Sequence, residues 1–192
     1  ILSAGGNITL IAKDSLTQNT SGDIQTSGGD IYVQGQDGSI SMHDDGEESA
    51  SALSAGGNIY YQAGNELSIG GLSADTGKVR LSSTEGSILD AGDTLKDVQA
   101  ASLRIDAGDS AGLLGESKNA LETKVDTLSA LVGGGGLNIL EDDNLSVSTV
   151  TFSVNKVGSD SAHAAQDVGV QSDLVANNDG SVVLKTISGT LT

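Results

Sequence analysis

The stretch Leu2–Ser3–Ala4–Gly5–Gly6–Asn7–Ile8 recurs unchanged as Leu53–Ser54–Ala55–Gly56–Gly57–Asn58–Ile59, 51 residues further on. Each copy runs into a short alternating segment, Ile8-Thr9-Leu10 in the first and Ile59-Tyr60-Tyr61 in the second. Looser versions follow at Gly29-Asp30-Ile31-Tyr32-Val33, Gly38-Ser39-Ile40-Ser41-Met42, Gly77-Lys78-Val79-Arg80-Leu81 and Gly180-Ser181-Val182-Val183-Leu184. The repeating unit is a glycine turn, a small polar residue, then apolar-x-apolar. Successive strand side chains point to opposite faces, so each unit buries two residues and exposes the one between. No lysine completes the glycine turn as a phosphate loop, and no helical pattern follows it. The turn therefore reads as a corner. A separation of 51 residues is two or three whole coils, which puts both copies at one corner, where Asn can ladder with the polar residue above.

The strand-opening residues Ile8, Ile24, Ile31, Ile40, Ile59, Leu67, Val79 and Ile88 are separated by seven to nineteen residues, with Gly, Ser, Asn and Asp between them. Short strands with such turns make either a sandwich of hairpins or a parallel β-helix. Two-residue hairpin loops favour Asn-Gly or Asp-Gly, and only Asp37-Gly38, Asp45-Gly46 and Asp179-Gly180 offer them. Units that all follow the turn on the same side fit parallel stacking, about 4.8 Å per coil. The expected fold is all-β, a right-handed parallel β-helix over residues 1–192.

Residues 93–132 are ambiguous, because Leu121, Val125, Leu128 and Leu131 also have helical spacing. Continuity with the flanking coils favours strands. In Ala101–Gly108 the alternation places Leu103 and Ile105 inward, with Arg104 and Asp106 outward. The pattern resumes at Leu137-Asn138-Ile139 and Leu145-Ser146-Val147, then in Val150, Phe152 and Val154, which reads as the longest clean strand. Residues 155–179 lose the period and are expected to leave the stack, with Ser159–Gln166 a loop or a single helical turn.

The Ala-Gly-Gly-Asn-Ile-x-Leu units, Gly86–Asp93, Ala101–Gly108 and the block Asn119–Ala130 with Gly135–Ile139 resemble the giant haemagglutinin-type surface proteins of bacteria, the filamentous-haemagglutinin-like adhesins and large exoproteins. The resemblance covers most of residues 1–154. It implies a right-handed parallel β-helix displayed at the cell surface, and strands rather than helix at 119–132. It carries over no catalytic residue.

Composition narrows the partners. A net charge of −17, from 9 basic and 26 acidic residues, argues against nucleic acid, which needs clustered Lys and Arg. Aromatic residues make up only 2% of the chain and Gly numbers 27, which suits thin stacked layers. Without cysteine there is no disulfide and no thiolate metal site. No run of eighteen apolar residues suggests membrane insertion, and the chain opens and closes in mid-pattern, as a segment of something longer would.

No residue set points to catalysis. The acidic turns Asp44, Asp45, Glu47, Glu48 and Glu141, Asp142, Asp143 offer oxygen ligands, but the Gly-Gly-x-Gly-x-Asp calcium repeat is absent, so they read as solvated turns. Whether they bind divalent ions is left open. A glycosidase needs two carboxyls across a held sugar. Tyr32 and Tyr60, outward as surface or edge tyrosines, make a thin platform, while Tyr61 faces in. His43 and His163 lie 120 residues apart with no Cys to pair with, and neither suggests a triad. The four glycines Gly133–Gly136 lack the lysine of a phosphate loop. A Thr-x-Thr ladder for ice occurs only at Thr149–Thr151 and Thr190–Thr192. No catalytic, cofactor or metal residue is assigned.

The expected protein is a non-catalytic structural segment of an extracellular surface filament or adhesin stalk. It would have about eight to ten coils, a rod on the order of 40–50 Å long. Its expected partners are other copies end to end or neighbouring segments of the same protein; the alternative is an adhesin module that binds host or surface glycans, or another partner, through 155–179.

Overall fold

The computed structural model describes residues 1–45, 48–92, 96–115 and 119–192. Among these there is no helix, and parallel strands stack as a β-solenoid. Three strands per turn build three sheets. The first contains Leu2–Ser3, Ile24–Thr26, Ser51–Ser54 and Gly71–Ser73. The second contains Ile8–Ala12, Ile31–Gly35, Ile59–Ala63 and Lys78–Ser83. The third contains Leu16–Gln18, Ile40–Met42, Leu67–Ile69 and Ile88–Asp90. The longer strands Val98–Ala107 and Leu121–Val132 turn the corner and serve the first and second sheets in one run. Residues 121–132 are thus strand, as continuity with the flanking coils demands.

Ile8, Ile31, Ile59, Val79, Leu103 and Leu128 lie one above another, at intervals of 23, 28, 20, 24 and 25 residues. These are five regular turns. The expectation of eight to ten coils is too high because each turn is longer than supposed and a long excursion lies outside the stack. At about 4.8 Å per turn the rod is on the order of 25–30 Å long. The core between the sheets is aliphatic, with Ile31, Ile59, Leu81, Leu103 and Ile105 fully buried. Tyr61 joins them, and its hydroxyl donates to Gln18 Oε1 at 3.0 Å inside the rod.

The repeated heptapeptide is a corner, and its two copies sit two turns apart with Leu2, Gln25 and Leu53 in one column. Ser54 Oγ accepts from Gly57 N at 2.9 Å and donates to the Gly29 carbonyl of the turn below at 2.7 Å. Thr26 does the same for Gly29 N and the Gly6 carbonyl. Asn7 Oδ1 accepts from Asp30 N, Asp30 Oδ1 from Asn58 N, and Asn58 Oδ1 from Lys78 N, all at 2.7–2.8 Å. Each residue after the glycine turn therefore holds the backbone of the next turn, which satisfies polar groups that a corner leaves outside the ladder. Gly6, Gly29, Gly57 and Gly77 stack so closely that a Cβ on any of the last three would lie 2.1–2.3 Å from the carbonyl oxygen below.

The excursion is regular. The strand Val150–Val157 pairs antiparallel with His163–Gln171, so Val150, Phe152 and Val154 belong to a hairpin outside the stack. The longest strand is instead Leu121–Val132, with 12 residues. Ser159–Gln166 contains the hairpin turn and the start of its second strand, with no helical turn. Val147 lies beside Leu128 and Leu174 beside Ala130, so the hairpin is spliced into a single strand of the second sheet.

Candidate functional site

The outer face of the second sheet carries Thr9, Tyr32, Tyr60, Arg80 and Arg104 in one column. The hairpin lies across it. Val150–Val157, the inner hairpin strand, takes two residues to descend each turn. The Thr151 carbonyl accepts from Lys78 Nζ, the Ser153 carbonyl from Asn58 Nδ2, Asn155 N donates to Asp30 Oδ2, and Val157 N donates to Thr9 Oγ1. A two-residue step of about 6.7 Å against a rise of about 4.8 Å tilts this strand about 45° from the rod axis. The residues that ladder the corner also grip the edge of this strand. Asp30 does both at once, with one carboxylate oxygen on Asn58 N and the other on Asn155.

Beneath the hairpin is a second small core of Tyr32, Tyr60, Phe152 and Val154, with Val168 packed against it. Tyr32 and Tyr60 meet edge to face with centroids 5.4 Å apart, and Tyr60 and Phe152 with centroids 5.7 Å apart. The two tyrosines do point out of the rod, but at 3% exposure they are neither surface nor edge residues. Burial pushes the Tyr32 phenol up to about 12 and raises that of Tyr60. Arg80 stacks over Tyr60 at 4.5 Å and donates to its hydroxyl. Asp106 Oδ2 receives Arg80 Nη2 at 2.8 Å and Arg104 Nε at 3.1 Å, while Arg104 Nη1 reaches the Val168 and Gly169 carbonyls. Arg104 and Asp106 are thus outside the rod core, as the alternation implies, yet the hairpin covers Arg104 to 8% exposure.

A third arrangement was invisible in the sequence. Asp90, Asp97 and Glu122 come from successive turns, and each offers a carboxylate oxygen within 4.8 Å of the others. Asp97 Oδ2 accepts from Glu122 N at 2.8 Å, and Asp90 Oδ1 from Gly92 N at 2.7 Å. Burial first, then the neighbouring Asp90 charge, pushes the Asp97 carboxyl up to about 10. Asp97 is therefore a neutral acid at pH 7. This set has the oxygen donors that a hard cation takes, but a cation would have to displace the Asp97 proton.

The proton has a cost that depends on pH. The unfolded chain releases it near pH 4, while the folded chain keeps it to about pH 10, so the stability it contributes is full below pH 4 and falls as pH rises between those limits. Asp97→Asn removes the titration and retains an oxygen for Glu122 N. The variant is expected to match the parent near pH 4 and to exceed it by a margin that grows as pH rises toward 8. Urea unfolding at the two pH values measures this; a parent whose stability is flat between them would contradict the assignment.

The two acidic turns singled out from sequence are otherwise employed. Glu141 is fully buried, accepting from Thr123 Oγ1 at 2.7 Å and from the backbone N–H groups of Val125, Asp142 and Asp143. Burial raises its carboxyl against the pull of those donors. Asp142 pairs with Lys96 at 2.9 Å, which holds its carboxyl low, and Asp143 pairs with Lys124 at 3.6 Å. In the other turn, Asp45 Oδ1 caps Glu48 N at 2.8 Å and Asp44 bridges Ser49; Glu47 lies outside the described residues. His43 is exposed with its N–H on the Gln18 carbonyl, and His163 accepts from Asn7 Nδ2 at 2.8 Å beside the hairpin turn. No family model matches the chain, and comparisons with curated proteins and with solved structures return no match.

Proposed function

We propose that the chain is a non-catalytic structural segment of an extracellular bacterial surface filament or adhesin stalk. The observation that carries this reading is the distribution of exposed apolar residues on a rod with hydrogen-bonded flanks. Ile1, Leu2 and Ile11 are exposed on the first layer and Val175, Val182, Val183, Ile187 and Leu191 on the last, against Leu131 and Val170 alone on the flank and hairpin among the described residues. Along the sides, strands pair with the turns above and below, so unpaired strand groups concentrate at the two end layers. Further solenoid layers, from another copy or from continuing chain, are the covering such ends fit. The first layer also opens into a hollow of about 360 Å³ lined by Ile1, Leu10, Leu16 and Ile24, which an added layer would fill. The acidic surface and the resemblance to haemagglutinin-type exoproteins support the extracellular assignment.

Electron microscopy and light scattering of the purified chain test this. Particles that lengthen with concentration by whole rods, and shorten when Val183 and Ile187 are replaced by Lys, are expected. A strictly monomeric particle at millimolar concentration would count against end-to-end stacking. The aromatic platform considered for a glycosidase is closed off, because Tyr32 and Tyr60 lie under the hairpin.

A further inference from the structure

The hairpin brings to the flank of this rod something the coils do not have: an open strand edge. The inner hairpin strand points the backbone groups of 151, 153, 155 and 157 away from its partner and into Lys78, Asn58, Asp30 and Thr9. In an antiparallel pair, when a residue turns its N–H and C=O away from the partner strand, the residue opposite turns its own away as well. Val157 faces His163, Asn155 faces Ala165 and Ser153 faces Asp167. The N–H and C=O groups of His163, Ala165 and Asp167 therefore point outward, and the strand His163–Gln171 has no second neighbour among the described residues. Residues 163–167 are all exposed. Two of the usual edge protections, Lys and Pro, are absent from His163–Gln171; the irregularity in its pairing lies beyond Asp167, and Ala164 and Ala165 leave the approach clear over 163–167.

We propose that this edge is a strand-addition site for an extended, lysine- or arginine-bearing segment of another polypeptide. The charge around it selects the occupant. The outer strand carries Asp167 and the hairpin turn Asp160, on a chain of net charge −17, while the cations beside them are engaged beneath, Lys156 over the Tyr32 ring and Arg104 with Asp106. A second copy brings the same carboxylates to the edge and is repelled, whereas a basic strand is attracted. Backbone hydrogen bonds supply the affinity and the aspartates supply the selection. The site is independent of the rod's role as a scaffold, so its failure leaves that reading untouched.

The probe is a fluorescent peptide, acetyl-Thr-Lys-Val-Lys-Val-Lys-Thr-amide, with a counterpart carrying Glu in place of Lys. Anisotropy titration is expected to show the basic peptide binding at least tenfold tighter than the acidic one. Ala165→Pro, which removes an outward N–H that the hairpin does not use, is expected to weaken it at least tenfold. Hydrogen exchange on the unsubstituted chain gives a second measure that needs no variant. The peptide should slow exchange at His163, Ala165 and Asp167, and leave Ala164 and Gln166, already bonded to the inner strand, unchanged. Equal binding of the two peptides, equal binding by the proline variant, or protection without this alternation would overturn the proposal. So would self-association abolished by Ala165→Pro, which would make a second copy the occupant.

Discussion

Gly57→Ala is expected to cost about 3–5 kcal/mol, a large share of the stability of a domain of this size. A Cβ at position 57 would lie 2.2 Å from the Gly29 carbonyl oxygen, 2.6 Å from its carbon and 2.7 Å from Ser54 Oγ. None of these atoms is the free end of a flexible chain. The carbonyl is held by Ser54, whose hydroxyl also caps Gly57 N, so relief on one side breaks a hydrogen bond on the other. Relief by separating the turns would stretch the ladder that pairs Ile31 with Ile59. Backbone strain is not the cause, since no left-handed conformation is required at Gly57. Gly71→Ala is the control: its Cβ would meet nothing closer than 3.9 Å, and the change should stay within about 0.5 kcal/mol. Urea unfolding of the two variants separates them, and a Gly57→Ala midpoint equal to that of Gly71→Ala would refute the account.

Removing residues 149–173, so that Ser148 joins Leu174, is expected to leave a folded solenoid. Val147 already lies beside Leu128 and Leu174 beside Ala130, so Ser148 would occupy the place opposite Ser129 and the strand would run straight through. The interval from Ala130 to Leu174 is 44 residues, and the excision reduces it to 19, close to the shortest regular turn of 20. The loss falls on the second small core. Tyr32 and Tyr60 lose Phe152 and Val154, a penalty of about 3–6 kcal/mol in uncovered apolar surface, partly offset because the hairpin no longer has to be ordered. Phenolate absorbance reads the change directly. Tyr32 should ionise near pH 10 in the excised protein instead of about 12. A shortened chain without cooperative unfolding would show that the hairpin is needed to form the rod.

The solenoid was legible because its two determinants are local. Alternation in Ile8-Thr9-Leu10, Ile59-Tyr60-Tyr61 and Leu103-Arg104-Ile105 states which side chain faces in, and the core contains the residues so assigned. The glycine turn states that a corner follows, and the Asn of the heptapeptide ladders the turn above it. Turn length was less legible, since it depends on corner loops of no fixed size, and the coil count erred for that reason. The hairpin was hidden by the same alternation that revealed the coils. Val150, Phe152 and Val154 have one apolar side in either setting, and a period of two does not say which surface that side meets. What marked the segment was its single Phe, in a chain whose outward Tyr32 and Tyr60 needed a cover. Asp90, Asp97 and Glu122 could not be grouped at all, because Glu122 meets Asp97 across a turn of 25 residues that only the register defines, and Asp90 meets Asp97 around a corner of no fixed shape.

The oblique hairpin also decides how the rod bears load. Hydrogen bonds between turns run along the axis, so tension on a bare stack meets them in series and peels one layer at a time. The hairpin is anchored to Lys78, Asn58, Asp30 and Thr9 on one strand and to Arg104 and Ile105 on the other, which ties five turns together. Axial tension must slide this strap along the flank, breaking its anchors together, before the layers beneath it can part. The face it covers is stiff in extension while the opposite faces are not, so a pulled rod bends toward the strapped side before it opens.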